Sequence, residues 1–207
     1  MPLEATEQPC SNLVCVFCAS GEGNDPVYAE TATALGRALV AAGYGLVYGG
    51  GARGLMGRVA RSVHQNGGEV LGIMPRTLSA VEGCAEEIGR MVMVDSMHQR
   101  KAIMNDNATA FIALPGGFGT LEELLEITTW SMLSIHSKPV IVLNANGYYS
   151  ALKDMISKAV DAGFVQGHFK DIIVFCDTPE EAVAAIKAYV VPSERFDLDW
   201  KQPAVQA

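Results

Sequence analysis

Thr109-Ala-Phe-Ile-Ala-Leu114-Pro115-Gly116-Gly117-Phe118-Gly119-Thr120-Leu121-Glu122-Glu123 holds, in fifteen residues, the signals from which the fold is read. The apolar run 109–114 has the composition of a buried strand, and a helical apolar pattern runs from Leu121 to His136. Between them, three glycines at a strand-to-helix junction let backbone N–H groups approach an anion. The helix N-terminus adds a favourable partial positive charge. Two carboxylates, Glu122 and Glu123, follow in the first turn. A phosphate cradle with acids one turn away points to chemistry on a phosphorylated small molecule.

The same alternation extends outward in both directions. Strands are expected at 13–18, 45–48, 69–73, 90–94, 109–114, 139–143 and 172–175. Helices are expected at 26–42, 54–66, 97–107, 120–135, 148–162 and 179–190. Asp25 and Pro26 open the first helix as N-cap and first residue, and Gly43 stops it; Thr178-Pro-Glu-Glu181 opens the last one as a capping box. Strands alternating with helices imply an α/β fold, a doubly wound parallel sheet flanked by helices, with right-handed crossovers. Residues 1–11 and 192–207 read as tails around a single domain at 12–191.

With 49% hydrophobic and 18% charged residues in a chain of 207, the composition suits a compact α/β protein with a sheet covered on both faces. A net charge of −8 argues against a general nucleic-acid or membrane-surface partner. The first residues show no secretory pattern, and no apolar run approaches the ~20 residues of a membrane span, so a cytoplasmic protein with reduced cysteines is expected. Cys10, Cys15 and Cys18 mimic an iron–sulfur spacing, with Cys84 or Cys176 as a fourth ligand, but 13–18 reads as a strand rather than a loop wrapped around a cluster.

Helix 120–135 is apolar on more than one side. Leu121, Leu124, Leu125, Thr128 and Met132 mark one face, and Ile127, Trp130 and Leu133 another. One face packs on the sheet; the other asks for a second cover, and a homodimer is the simplest expectation.

A second glycine cradle, Gly49-Gly50-Gly51-Ala-Arg-Gly54-Leu-Met56-Gly57, follows the strand at 45–48. Gly49, Gly51 and Gly54 match the dinucleotide spacing, a weak signal alone, and no acid sits at the end of the next strand to hold a ribose. Two cradles opening at strand ends suit a mononucleotide in the crevice there. Ser96 with Gln99 marks another helix start, which leaves Arg100 and Lys101 at the end where the helix dipole disfavours cations. An anionic ligand or a carboxylate partner would account for that placement. Glu123 admits two readings: Thr120-Leu-Glu-Glu123 is itself a capping-box pattern, and the same carboxylate could serve catalysis. The four histidines show no paired ligand spacing, so no metal site is expected. Ser20 and Ser96 lack a nucleophile elbow.

Together PGGFGTLEE at 115–123, MHQRKAIM at 97–104 and GGGARGLMG at 49–57 resemble the LOG ("Lonely Guy") family over about residues 13–190. Those proteins are cytokinin riboside 5′-monophosphate phosphoribohydrolases, also labelled lysine decarboxylase-like. The resemblance implies a Rossmann-like homodimer without a cofactor. It implies hydrolysis of the N-glycosidic bond of an N6-substituted AMP, a nucleoside 5′-monophosphate, to free base and ribose 5-phosphate. By the same resemblance Arg100 and Glu123 are catalytic. Substrate contacts carry over to Glu82, Lys101, Gly117, Phe118, Gly119, Thr120, Leu121, Glu122 and Thr129. Gly49, Gly50, Gly51, Gly54 and Met56 form a candidate second phosphate or nucleotide loop.

Breaking such a bond develops oxocarbenium character on the ribose and negative charge on the base. A carboxylate at Glu123 can answer the first; Arg100, which keeps its proton near neutrality, can act only electrostatically. Other readings are a nucleotide-binding module without catalysis, and an AMP nucleosidase without a cytokinin role. A pyridoxal-phosphate decarboxylase fits poorly, since little chain remains around Lys101 to hold that cofactor.

Overall fold

The structure, a computed structural model, describes residues 12–82, 88–198 and 200. Its elements alternate along the chain: β1 (Leu13–Phe17), α1 (Pro26–Ala41), β2 (Gly45–Tyr48), α2 (Gly54–Gln65), β3 (Val70–Pro75), α3 (Arg76–Glu82) and β4 (Arg90–Val94). There follow α4 (Met97–Asn107), β5 (Ala108–Ala113), α5 (Phe118–Met132), β6 (Val140–Leu143), α6 (Ser150–Asp161), β7 (Ile173–Cys176) and α7 (Pro179–Ala188). The strands form one parallel sheet in the order β4-β3-β2-β1-β5-β6-β7. Chain direction across the sheet reverses between β1 and β5, and the crevice at their C-terminal ends is where such folds bind ligands.

Side-chain alternation in β1 separates two cores. Val14 and Val16 pack with α1, α2 and α7, whereas Leu13, Cys15 and Phe17 pack with α4 and α5 on the opposite face. Cys15 and Cys18 are consequently free thiols in different cores, Cys18 at the margin of the first and Cys15 deep in the second. Burial of both sheet faces accounts for the near-continuous apolar runs of the strands.

Asp25 accepts from the Val27 amide at 3.0 Å, Gly43 takes a left-handed φ of +83° after α1, and Thr178 with Glu181 closes the capping box of α7. At α4, Ser96 accepts from the Gln99 amide, while Gln99 reaches back one residue further than a capping box, to the Asp95 amide. The seven-residue α3 has no counterpart among the expected elements; Ser79 donates to the Arg76 carbonyl within it, and the exposed Arg76 guanidinium pairs with Asp95 at 3.3 Å.

The largest departure concerns α5. It begins at Phe118 with Gly117 as an N-cap that has no side chain to offer. Thr120 is therefore the third helical residue, and its side chain sits over Gly116, where any Cβ would overlap its hydroxyl. A capping box from Thr120 to Glu123 has no helix end to cap. Leu124 and Ile127 face the sheet, Trp130 and Met132 are half-buried, and Phe118 and Leu125 stay exposed at 93% and 47%.

The other end of α5 is covered by the segment read as a tail. Arg195 donates to the carbonyls of Ser131 and His136, the Phe196 amide to Met132, and the Trp200 indole to Leu133. These bonds satisfy carbonyls that a helix terminus otherwise leaves to water. No described helix is long and apolar enough to cross a membrane.

Candidate active site

A cleft of about 470 Å³ opens at the C-terminal ends of β1 and β5, a volume suited to a small ligand. One wall is the start of α5, the second is the β1–α1 loop at Ala19–Gly21, and the floor carries Arg100 and Glu123 with Gly49 and Met56. The loops are tied together by the backbone: Leu114 donates to Phe17, and Ala19 donates to Pro115. Two tyrosines brace the glycine turn from the β6–α6 connection. Tyr148 donates to the Gly116 carbonyl at 2.6 Å and buried Tyr149 to that of Leu114 at 2.8 Å. Burial holds the Tyr149 phenol well above its usual pKa, so it stays a donor at any physiological pH.

The two glycine cradles differ in what their amides do. At α2, Leu55 donates to the Gly21 carbonyl and Met56 to that of Ala19, so the helix end is spent on the β1–α1 loop. Gly54, at φ +56°, lies so close to Ser20 that a side chain would collide with its backbone. At α5, no described backbone carbonyl accepts from Phe118, Gly119 or Thr120, which border the cleft. A Cβ at Gly117 or Gly119 would meet nothing within 4 Å, and neither residue has a left-handed φ. The protein's own packing does not require glycine there.

Arg100 is 6% exposed and Glu123 9%. The guanidinium donates from Nη2 to the Gly49 carbonyl at 2.9 Å, its Nη1 stands 3.9 Å from Glu123 Oε1, and its buried Nε has no partner. At 3.9 Å the pair is an electrostatic contact rather than a hydrogen bond, and Nη1 also stands 3.9 Å from Met97 Sδ. Burial, then the charge of Glu123, push the Cys18 thiol far up, so it is an inert part of the wall.

Lys101 points the other way. Its Nζ lies 2.6 Å from Glu122 and 2.9 Å from Glu126, a clamp between α4 and α5. Burial pulls its pKa down, but the hydrogen bonds to Glu122 and Glu126 outweigh it and hold the ammonium above its usual value. Glu122, Gly117, Phe118, Gly119 and Thr120 line the cleft together with Arg100, Glu123, Gly49 and Met56. Leu121 is half-buried beside the core, and exposed Thr129 bonds its own helix at Leu125; neither they nor Lys101, Gly50, Gly51 and Gly54 line it. Glu82 ends α3, and its side chain lies outside the described residues. Met97, the end of β1 with Cys18 (16–18) and the 19–21 loop, none of them among the expected site residues, complete the lining. A glycine beside Ser20 after the first strand was the available signal for that loop.

Comparison with known proteins agrees with this architecture. A family model described as "Possible lysine decarboxylase" matches residues 56–186. The cytokinin riboside 5′-monophosphate phosphoribohydrolase LOG7 of Arabidopsis thaliana is 51% identical over 176 residues, 85% of this chain and 81% of the relative. A probable enzyme of the same description from Oryza sativa subsp. japonica, LOGL2, is 48% identical over 182 residues, 88% of this chain and 75% of the relative. Among solved structures, TM1055 superposes with a TM-score of 0.63 at 28% identity, over 86% of this chain and 99% of that one. The molybdenum cofactor carrier protein of Chlamydomonas reinhardtii does so at 0.63 and 18%, over 86% and 96%, a likeness of fold alone. With relatives about half identical over most of its length and the glycine, RK and PGGFGTLEE motifs gathered at one cleft, the chain belongs to the LOG family.

Proposed function

We propose that this protein hydrolyses the N-glycosidic bond of an N6-substituted adenosine 5′-monophosphate, releasing the free base and ribose 5-phosphate. The observation that carries the reading is the floor of the cleft. A buried guanidinium with an unpartnered Nε and a buried carboxylate stand 3.9 Å apart, beside open helix amides. The 5′-phosphate lies against Phe118, Gly119 and Thr120, where the dipole of α5 favours it. Binding at that remote group orients the ribose over Glu123.

As the C1′–N9 bond breaks, its electron pair leaves with the base and cationic character develops on the sugar. Glu123 stabilises that cation and takes a proton from the water whose oxygen adds to C1′; return of that proton, directly or through solvent, to the departing base completes the base and restores the carboxylate. Arg100 keeps its own proton and offers a fixed positive field to the leaving base or the phosphate. Lys101, charged and clamped by Glu122 and Glu126, is a poor Schiff-base amine, which counts against the decarboxylase description. We further propose a homodimer that covers the exposed Phe118 and Leu125 face of α5.

The experiment is chromatography of the base released from AMP and from N6-isopentenyl AMP side by side, with each nucleoside as a control. Base from both nucleotides at equal efficiency identifies an AMP nucleosidase. Equal rates on nucleoside and nucleotide would remove the phosphate assignment. No base from any of them overturns the enzyme.

A further inference from the structure

The loop after β2 carries the glycine pattern of a phosphate cradle, yet the amides at the start of α2 are already bonded to Ala19 and Gly21. What it presents to the cleft is Gly49 and Met56. The Gly49 carbonyl is the acceptor for Arg100 Nη2 at 2.9 Å, across 51 residues of sequence. A Cβ on Gly49 would overlap that same Nη2 and stand 3.0 Å from Cζ, with Met56 Sδ next at 3.3 Å. The backbone of Gly49 is not left-handed, so conformation alone does not demand glycine. The guanidinium, 6% exposed, occupies the volume a side chain would need.

We propose that Gly49 is a positioning residue for Arg100. Its carbonyl fixes one end of the guanidinium, and its missing side chain leaves the space in which that group lies. The loop 49–57 then serves the arginine rather than a phosphate. With Nη2 held there, Nη1 lies 3.9 Å from both Glu123 Oε1 and Met97 Sδ, and the buried Nε has no partner. This inference rests on the reading of Arg100 as a catalytic residue. The chemistry is that of a charge-assisted hydrogen bond, in which a small misplacement is costly: a shift of about 1 Å in a catalytic group can lower turnover roughly 100-fold.

The test is a cycle of Gly49→Ala, Arg100→Met and the double variant, measured for base release from N6-isopentenyl AMP and for thermal unfolding. Arg100→Met keeps the methylene packing and removes the guanidinium. The expected result is a fall in kcat of about 10- to 100-fold in Gly49→Ala, with KM within about threefold. The double variant should be no slower than Arg100→Met alone. Losses that multiply, or wild-type kcat in Gly49→Ala, overturn the proposal. Where Gly49→Ala lowers the melting temperature, the drop should vanish in the Arg100→Met background; an equal drop in both means that Gly49 serves the scaffold and overturns it.

Wild-type kcat in Arg100→Met, or no base from the wild-type protein, would refute the catalytic reading instead. In that event the Arg100 Nε–H resonance, assigned by its loss in Arg100→Met, decides the geometry. A shift of this signal in Gly49→Ala supports the contact, and an unmoved signal overturns it.

Discussion

Lowering the pH from 7 to 5 should destabilise this protein through one side chain, His136. The ring is 7% exposed and stands between two backbone groups: Nε2 lies 2.9 Å from the Ile127 carbonyl, and Nδ1 is 3.1 Å from the Lys138 amide nitrogen. A carbonyl accepts and an amide donates, which assigns the neutral Nε2–H tautomer. Protonation would set a second N–H against the Lys138 amide. Burial, joined by the positive charges of Lys138 and Arg195, lowers its pKa to about 4, and only the bond to Ile127 opposes the shift. Between there and the unfolded value of about 6.5, the unfolded chain binds the extra proton, so stability is intact above 6.5 and is lost as pH falls toward 4. The full loss is on the order of 3 kcal/mol, and about 2 kcal/mol of it is gone by pH 5. For a chain of this size that is roughly 4–8 °C in melting temperature. Thermal unfolding of wild type and His136→Gln at pH 7, 6 and 5 isolates the effect, since glutamine offers a donor and an acceptor but does not titrate. Parallel pH profiles for the two proteins would refute the reasoning.

Three further outcomes follow from the site and its supports. Gly117→Ala should leave the melting temperature within about 2 °C, because its Cβ meets nothing, yet raise KM for the nucleotide; an unchanged KM removes the phosphate from that position. Tyr149→Phe strips the Leu114 carbonyl of its 2.8 Å donor, and should cost about 1–2 kcal/mol by urea unfolding; no loss would mean that water replaces the hydroxyl. Leu125→Glu should leave the fold intact by circular dichroism and shift the mass measured by light scattering from dimer to monomer; a dimer that persists places the subunit contact elsewhere.

Much of this architecture is legible without coordinates because the strands are buried on both faces and the main helices carry local start signals. Asp25-Pro26 and Thr178 through Glu181 act where they stand. The short α3 escaped because seven residues give too little periodicity to detect. Thr120 misled because a capping box is defined by spacing, and the spacing from Thr120 to Glu123 holds although the helix begins at Phe118. Arg100 stood out as a cation at the wrong helix end, but its partner Gly49 is a carbonyl, and a carbonyl has no letter in a sequence. For the same reason the 49–57 glycines looked like a second cradle: only the hydrogen bonds of Leu55 and Met56 reveal that those amides are occupied.

The strap formed by Arg195, Phe196 and Trp200 bears on how the molecule is made. Helix α5 carries Glu123 near one end, and the carbonyls at its other end are satisfied by side chains more than 60 residues further along. During synthesis those donors leave the ribosome only after α5, β6, α6, β7 and α7 have all been made. A nascent chain that has already laid down its sheet still holds α5 with a frayed terminus, and translation must run on to Trp200 before the helix is tied at both ends.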